Sequence, residues 1–469
     1  MAQGKPNRIG VGGSFVHRRG KGARRVLFHA DGAAALRPQI RPSAHERRLH
    51  CREHPRRASR TNCLATRQPL TRTSSGRENM DLQKITIRGF KSIQSLNELE
   101  LMPINLLIGG NGAGKSNLIE FFKMLRAMMG LRLAEFKNER PSLSKFLGTK
   151  GGIDNFLYGG VQQTSEIFAE FIFNNGKNGY RFSIGPTADG GFSIREEASY
   201  YSGWNRPESW WVESPEEFRT ESVLPKSASK AKEEEKDTRQ RYIYDSISSW
   251  QIYQFHDTSQ FAGARQPSFI RDGSEFFFDG SNLPAFLYSL KNHMLADVSD
   301  EDSECAYGNI IDLIRVAAPY FDDFVLEPYE EGQDVKIKLQ WRQRDMLMNL
   351  QPHHISDGTL RFMCLATVML QPKPPKLIIV DEPELGLHPE ALEALAETIR
   401  RCSERTQFIL ATQSPSFADY FSPEEVLTVN RINGASIFER QSSAVLGKWL
   451  EEYSVGQLWR KNIIRGGVK

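Results

Sequence analysis

Apolar residues in this chain fall into short, unalternated runs that end in glycine-rich or acidic turns. Ile104-Asn-Leu-Leu-Ile108 leads into Gly109-Gly-Asn-Gly-Ala-Gly114, then Lys115-Ser116. That order reads as a buried strand, a glycine turn and the start of a helix. Leu377–Val380 is apolar without alternation, the pattern of a strand covered on both faces of a parallel sheet. Gln407-Phe-Ile-Leu-Ala411 reads as another buried strand, with polar Thr412, Gln413 and Ser414 at its end. Phe362–Leu370 is an almost wholly apolar helix candidate, and Ser356 is placed as its N-cap.

Elsewhere the period is two. Phe168–Phe173 and Tyr180–Ile184 bracket Asn174-Asn-Gly-Lys-Asn-Gly179 and read as a hairpin, and alternation recurs at Gly191–Arg195. Composition then shifts: Pro225–Lys236 is charged and poor in apolar residues, a loop or a solvated helix turn. Asp279-Gly-Ser-Asn282 reads as a turn and cap leading into Leu283–Leu290. No sustained heptad of apolar a and d positions is visible.

The glycine turn carries the clearest chemistry. Gly109 to Ser116 matches G-x-x-x-x-G-K-[ST]. Glycines let successive N–H groups curl inward to cradle a phosphate, and the helix that follows adds the positive end of its dipole. Lys115 then reaches the outer phosphates, and the Ser116 hydroxyl can ligate Mg²⁺. Asp381, at the C-terminal end of its strand, is placed to hold the metal through water, and Glu382 to orient or deprotonate an attacking water. The helix end at Ser356 and Gly358 is a potential anion grip.

The order G-x-x-x-x-G-K-S, S-D-G-T-L-R, I-I-V-D-E-P-E-L-G-L-H-P, A-T-Q-S-P resembles an ABC-type ATPase head. It is similar to the SMC and RecF-like group, and to the short predicted ATPases related to the overcoming-lysogenization-defect family. Met80–Ile93 resembles that group's first strand and its F-[KR]-S turn. The resemblance implies an α/β P-loop NTPase fold: a mainly parallel sheet flanked by helices, with an antiparallel edge from the first strand. It implies ATP and Mg²⁺ as ligands. Gly109, Gly110, Asn111, Gly112, Ala113, Gly114, Lys115, Ser116 and Asn117 would bind nucleotide, and Ser116 and Asp381 the metal. Glu382 would be the catalytic carboxylate. Ser356 and Gly358, by resemblance to the ABC signature, would complete the ATP site of a second subunit. Gln413 stands where many ABC ATPases carry a switch histidine; glutamine keeps a donor and an acceptor but gains no charge near neutral pH, which implies slow turnover. Gln162 and Gln163 are the candidates for the glutamine loop.

Composition changes the picture mainly at the N-terminus. The chain has 469 residues and a net charge of +4. Residues 1–79 hold 18 Lys+Arg, 16 of them Arg, against 4 Asp+Glu, whereas the remainder has a net charge of −10. This tail lacks apolar periodicity and is expected to be disordered. Its charge fits a nucleic-acid-binding arm, and its arginine-rich, acid-poor composition fits a targeting peptide, but the preferred reading is translation from Met80, where the family-like sequence begins. Residues 80–160 and 335–469 are then the two parts of the ATPase domain, around an inserted α+β lobe at 161–334. The ending Tyr453–Trp459 also resembles that of the short predicted ATPases. Five scattered cysteines without C-x-x-C spacing point to a reducing compartment and no zinc site, with Cys364 and Cys402 filling core space. No apolar run approaches a membrane span, so a cytoplasmic protein is expected.

Within the lobe, His256 and Asp257 suggest a catalytic or metal pair, but adjacent strand residues point to opposite faces, and a loop-organising role is expected. Trp204, Trp210, Trp211 and Arg206 sit among glutamates and read as a packed loop rather than a base-stacking platform. The function expected is an ATP-dependent homodimerising switch in DNA maintenance or anti-phage defence, acting on DNA or a separate effector chain. A transporter ATPase subunit is the competing class. A built-in nuclease is disfavoured, because only a short segment without a D-x-D cluster follows Pro415.

Overall fold

In the computed structural model, the described residues are 82–133, 136, 139–173, 177–202, 210–212, 219–236 and 238–466. The basic stretch 1–79, with Cys51 and Cys63, lies outside them, as do Trp204 and Arg206. Two six-stranded sheets organise the described chain. One is antiparallel throughout, in the order β2 (Ile93–Glu100), β1 (Leu82–Phe90), β4 (Ile167–Phe173), β5 (Asn178–Pro186), β6 (Phe192–Tyr201), β7 (Trp210–Val212). The other runs β17 (Ala435–Arg440), β16 (Val426–Ile432), β3 (Ile104–Ile108), β15 (Gln407–Thr412), β14 (Leu377–Asp381), β8 (Trp250–Tyr253). It is parallel except where β17 turns back on β16. Smaller sheets pair β10 (Phe321–Val325) with β13 (Gln340–Gln343), and β11 (Pro328–Glu331) with β12 (Asp334–Ile337) and β9 (Ser268–Phe269).

The longer helices are α1 (Lys115–Met128), α2 (Leu143–Thr149), α3 (Leu224–Glu233), α4 (Arg239–Ser248), α5 (Leu283–Lys291), α6 (Asp300–Ala317), α7 (Asp357–Leu370) and α8 (Pro389–Cys402). The parallel sheet separates two cores, because successive strand residues point to opposite faces. Leu107, Leu377, Ile379, Ile409, Ala411, Leu427 and Val429 face α1 and the antiparallel sheet. Leu106, Ile108, Ile378, Val380, Phe408, Leu410 and Val426 face α5, α6, α7 and α8. Both faces are therefore dry, which explains why these strands read as continuous apolar runs. On α1, Phe121 meets Phe90 edge-on at 5.2 Å and stacks on Phe182 at 6.4 Å, while Phe122 meets Trp250 of β8 at 6.2 Å. Adjacent aromatic residues of one helix thus bond the antiparallel sheet to the parallel one.

The hairpin is present as β4 and β5, with Phe168 opposite Ser183, and β6 extends the alternation at Gly191–Arg195 to Tyr201. Pro225–Lys236 falls mostly in α3, which buries Leu224, Ala228 and Ala231. Ser356 caps α7 by accepting from Thr359 N at 3.1 Å. Asn282 precedes α5 without capping it; its amide instead donates to the carbonyls of Asp272 and Glu275, both at 2.7 Å. Trp210 packs on Tyr200 and Arg181, and Trp211 is half exposed under Arg239. Cys364 and Cys402 are buried free thiols, and burial pushes the Cys364 thiol up to about 12.

One expectation about the sheets needs correction. The segment 161–334 is α+β in content. Its first strands, β4 to β7, extend the sheet begun by β1 and β2, and β8 is an edge strand of the parallel sheet beside β14. The antiparallel edge of that sheet is β17 rather than the first strand, which pairs with β2 and β4 instead. Neither outcome is encoded locally, since backbone pairing between distant segments uses the same N–H and C=O groups whichever residues carry them.

Candidate functional site

The C-terminal ends of β3, β14 and β15 converge, and the loops leaving them carry most of the residues singled out in the sequence. After β3 the chain enters the glycine turn. Gly112 and Gly114 take φ of 77° and 114°, conformations open to glycine at little cost. A Cβ on Gly114 would come within 2.0 Å of Ser436 Oγ, so the turn is held tightly from behind. Ser436 Oγ donates to Ala113 O at 2.6 Å and contacts Ser92 Oγ at 2.6 Å, and Ser92 Oγ accepts from Asn117 Nδ2 at 2.6 Å. The F-K-S turn and β17 thereby hold the glycine turn and the helix start between Ala113 and Asn117. Lys115 is buried and donates to the carbonyls of Gly109 and Gly110.

The acidic side of the site follows β14. Ser116 Oγ lies 3.5 Å from Asp381 Oδ2, so the two oxygens proposed to share a metal are adjacent. Glu382 has φ 50°, a left-handed backbone that costs a non-glycine residue about 1–2 kcal/mol. Its N–H donates to Ala411 O at 2.8 Å, which holds the kink against β15. The kink interrupts strand alternation, and both Asp381 and Glu382 act on Lys115. At the end of β15, Gln413 Nε2 donates to Glu382 Oε1. Thr412 Oγ1 donates to Glu384 Oε1, which also accepts from Gln413 N at 3.3 Å.

Burial shifts two of these groups. Burial lowers the Lys115 amine, opposed by Asp381, Glu382 and Glu384. Burial raises the Asp381 carboxyl, with Glu382 adding to the rise and His256, Lys115 and Lys123 opposing it. A carboxyl raised in the folded state binds its proton more tightly there than in the unfolded chain. Stability therefore falls as pH climbs from the ordinary value of 3.8 to the raised one. Asp381→Asn is expected to melt higher than wild type at pH 7 without nucleotide or Mg²⁺, with the gap closing near pH 4. Thermal melts across that range check the sign.

Ser356 and Gly358 lie at the exposed start of α7. A Cβ on Gly358 would come 2.1 Å from Gly386 O, so the signature turn and the loop after Glu382 touch through bare backbone. Arg361 strengthens that contact, donating to Leu385 O, to Phe255 O at 2.8 Å and to His256 O at 3.4 Å. Arg265 adds Thr258 O at 3.0 Å, Ile355 O at 2.9 Å and Asp357 Oδ1 at 2.8 Å. The structure thus brings Lys115, Ser116, Asp381, Glu382 and Gln413 together, and ties Ser356 and Gly358 to them through the 385–386 loop.

Gln162 and Gln163 are not part of this cluster among the described residues; Gln163 N donates to Gly160 O at 3.1 Å, and its side chain packs on Gly159. The sequence assigns no role to Gln254 or Glu384, and gives His256 only a loop-organising one. Gln254 follows β8 directly, and β8 pairs with β14, so its exit adjoins Asp381. The strand is four residues long, too short for its pattern to place it. His256 and Asp257 make no joint site: Asp257 Oδ1 accepts from Ser259 N at 3.0 Å and organises the loop, while His256 acts on Asp381.

A metal site made of protein side chains alone is not present: no group of three His, Cys, Asp or Glu converges among the described residues. The pair Ser116–Asp381 instead offers two oxygens that would suit a hard cation such as Mg²⁺, which takes few ligands from the protein in phosphate sites. No helix among the described residues is long and apolar enough to cross a membrane.

No curated protein matches the chain. Among solved structures, an SMC head bound to the C-winged helix domain of ScpA is similar at 15% identity and TM-score 0.46, covering 79% of this chain and 99% of that one. An SMC head with an extended coiled coil, bound to the C-terminal domain of ScpA derived from Pyrococcus furiosus, gives 16% and 0.47, covering 79% and 99%. The SMC head domain from Thermotoga maritima gives 14% and 0.37, covering 77% and 100%. Residues 104–419, from the strand before the phosphate loop to the turn after Gln413, match a family described as "AAA domain, putative AbiEii toxin, Type IV TA system". The match takes in well over half of the chain and all of the clustered site, and the protein belongs to that family of AAA domains.

Proposed function

We propose that the protein binds and hydrolyses ATP, with Mg²⁺, and uses the nucleotide to close two copies of itself into a dimer. The observation that carries this reading is the convergence of Lys115, Ser116, Asp381, Glu382 and Gln413 at the ends of β3, β14 and β15. The turn 109–117 cradles the phosphates, and Lys115 exchanges its carbonyl partners for phosphate oxygens. Mg²⁺, held by Ser116 and by Asp381 through water, would neutralise charge that builds on the phosphates. Glu382 orients a water and accepts its proton as the water oxygen bonds to the γ-phosphorus. The bond from that phosphorus to the bridging oxygen breaks, and ADP leaves with the electron pair. Gln413 holds Glu382 in place with one N–H of its side-chain amide and donates the other to the γ-phosphate. Gln254, at the exit of β8, takes the glutamine-loop role in place of Gln162 and Gln163.

Ser356 is exposed and Gly358 half-buried beside it, and together they complete the site of the second copy. The 385–386 loop and Arg361 give that surface a direct connection to Glu382. The family description, with its toxin and toxin–antitoxin terms, favours defence over DNA repair as the setting, through a DNA or effector partner. The kinship with the overcoming-lysogenization-defect ATPases belongs to the same proposal. The test is the mass of the full chain in solution with and without ATP·Mg²⁺. A shift to dimer that Ser356→Arg abolishes supports the reading. A chain that binds ATP and stays monomeric removes the clamp.

A further inference from the structure

Glu384 has no role in the steps above, yet it is placed where those steps need rigidity. It lies in the loop between β14 and α8, three residues beyond Asp381. Its Oε1 accepts from Thr412 Oγ1 and from Gln413 N, the last residue of β15 and the residue after it. Thr412 is fully buried, and its hydroxyl also accepts from Ser414 N at 2.9 Å. The loop is braced in turn by Leu385 N on Glu382 O at 3.2 Å and Leu387 N on Glu384 O at 3.1 Å. Glu384 Oε2 is buried and has no hydrogen-bond partner among the described residues.

A half-satisfied buried carboxylate is a poor way to stabilise a loop, since the unpaired oxygen costs about as much as a good hydrogen bond returns. What the carboxylate does supply is direction. A single acceptor takes one side-chain donor and one main-chain donor from the exit of β15, which sets the orientation of the Gln413 backbone. The Gln413 side chain then donates to Glu382. We propose that Glu384 is a positioning residue of the hydrolytic site, which aims Gln413 at Glu382 by holding the exit of β15. The inference rests on the ATPase reading of the same site.

The experiment is steady-state ATP turnover by the full chain carrying Glu384→Ala, Glu384→Gln, Gln413→Ala, and Glu384→Ala with Gln413→Ala. Glutamine retains the oxygen that accepts both donors, so Glu384→Gln should keep kcat within about threefold of wild type. Glu384→Ala should lower kcat about tenfold to a hundredfold, the range expected for losing hydrogen bonds to a charged group, with KM for ATP unchanged. The double variant should be no slower than the slower single one, because both substitutions break one chain of contacts. Should Glu384→Ala not fold, Thr412→Val carries the test, since it keeps shape and removes the hydroxyl that donates to Glu384 and accepts from Ser414 N; a kcat loss of about threefold to tenfold is expected.

The proposal is overturned if Glu384→Ala turns over like wild type, if Glu384→Gln is as slow as Glu384→Ala, or if the losses multiply in the double variant. A rise in KM that tracks the loss of kcat overturns it as well. Wild type without any turnover ends the ATPase reading and this inference together. Active wild type with unaltered Glu384 variants ends this inference alone.

Discussion

Glu382→Gln is expected to lower the ATP turnover of this protein about a thousandfold, the scale set by losing a positioned general base. The substitution is close to isosteric, and the amide oxygen can still accept from Gln413 Nε2, so the kinked backbone at φ 50° keeps its contacts. What disappears is the negative charge and the capacity to take a proton. ATP binding should survive, because the cradle 109–117 and Lys115 are untouched. It should even tighten, since Glu382 and Asp381 repel one another and both repel phosphate. The variant should therefore accumulate the ATP-bound dimer that wild type forms only transiently. Single-turnover hydrolysis, titration calorimetry and mass in solution measure the three parts. A kcat within tenfold of wild type would mean that Glu382 is not the base. Asp381 or His256 would then be the next groups to replace.

The second large effect is expected at Lys115. Truncation to alanine should weaken ATP binding about a hundredfold, the cost of removing one partner of a desolvated charge pair. The unliganded protein should change little in stability. The buried ammonium is itself disfavoured, as its lowered pKa shows, but its loss leaves the Gly109 and Gly110 carbonyls without that donor. These terms oppose each other. Wild type should melt higher as ATP·Mg²⁺ is added, following ligand concentration over Kd, whereas Lys115→Ala should show no rise at concentrations that saturate wild type. A variant that melts higher with ATP to the same extent as wild type would place the nucleotide elsewhere. The same scan on Glu382→Gln should show a rise at least as large as that of wild type, so the pair of variants separates binding from chemistry.

Three features make these residues readable from the chain alone. The phosphate loop is local: the glycines, Lys115 and Ser116 lie within one turn, and their chemistry follows from their spacing. The strands β3, β14 and β15 are apolar on both faces, a pattern that few other settings produce. Asp381 and Glu382 end one of those strands, and Gln413 follows another, so their common location follows from the rule that open α/β sheets bind ligands at the C-terminal edge. Ser356 was readable as a cap because its hydroxyl and the Thr359 N–H are three residues apart.

The residues that went unread all depend on contacts between distant parts of the chain. β8 joins the parallel sheet beside β14, more than a hundred residues downstream, and nothing in Trp250-Gln-Ile-Tyr253 states its neighbour. The pairing of β4 with β1 goes unread for the same reason, since it spans a separation that composition does not record. Glu384 gains meaning only when Thr412 and Gln413 arrive beside it, and Arg361 only when the loops at 255–256 and 385 close around it. The left-handed backbone of Glu382 is a further case, held by Ala411 O from the adjacent strand. Local sequence settles which segments are strands, helices and phosphate turns, because those follow from side-chain period and backbone freedom over a few residues. Which strand lies beside which, and which carboxylate steadies which switch residue, follows from burial and hydrogen bonding summed over the whole domain, and only the folded chain contains that sum.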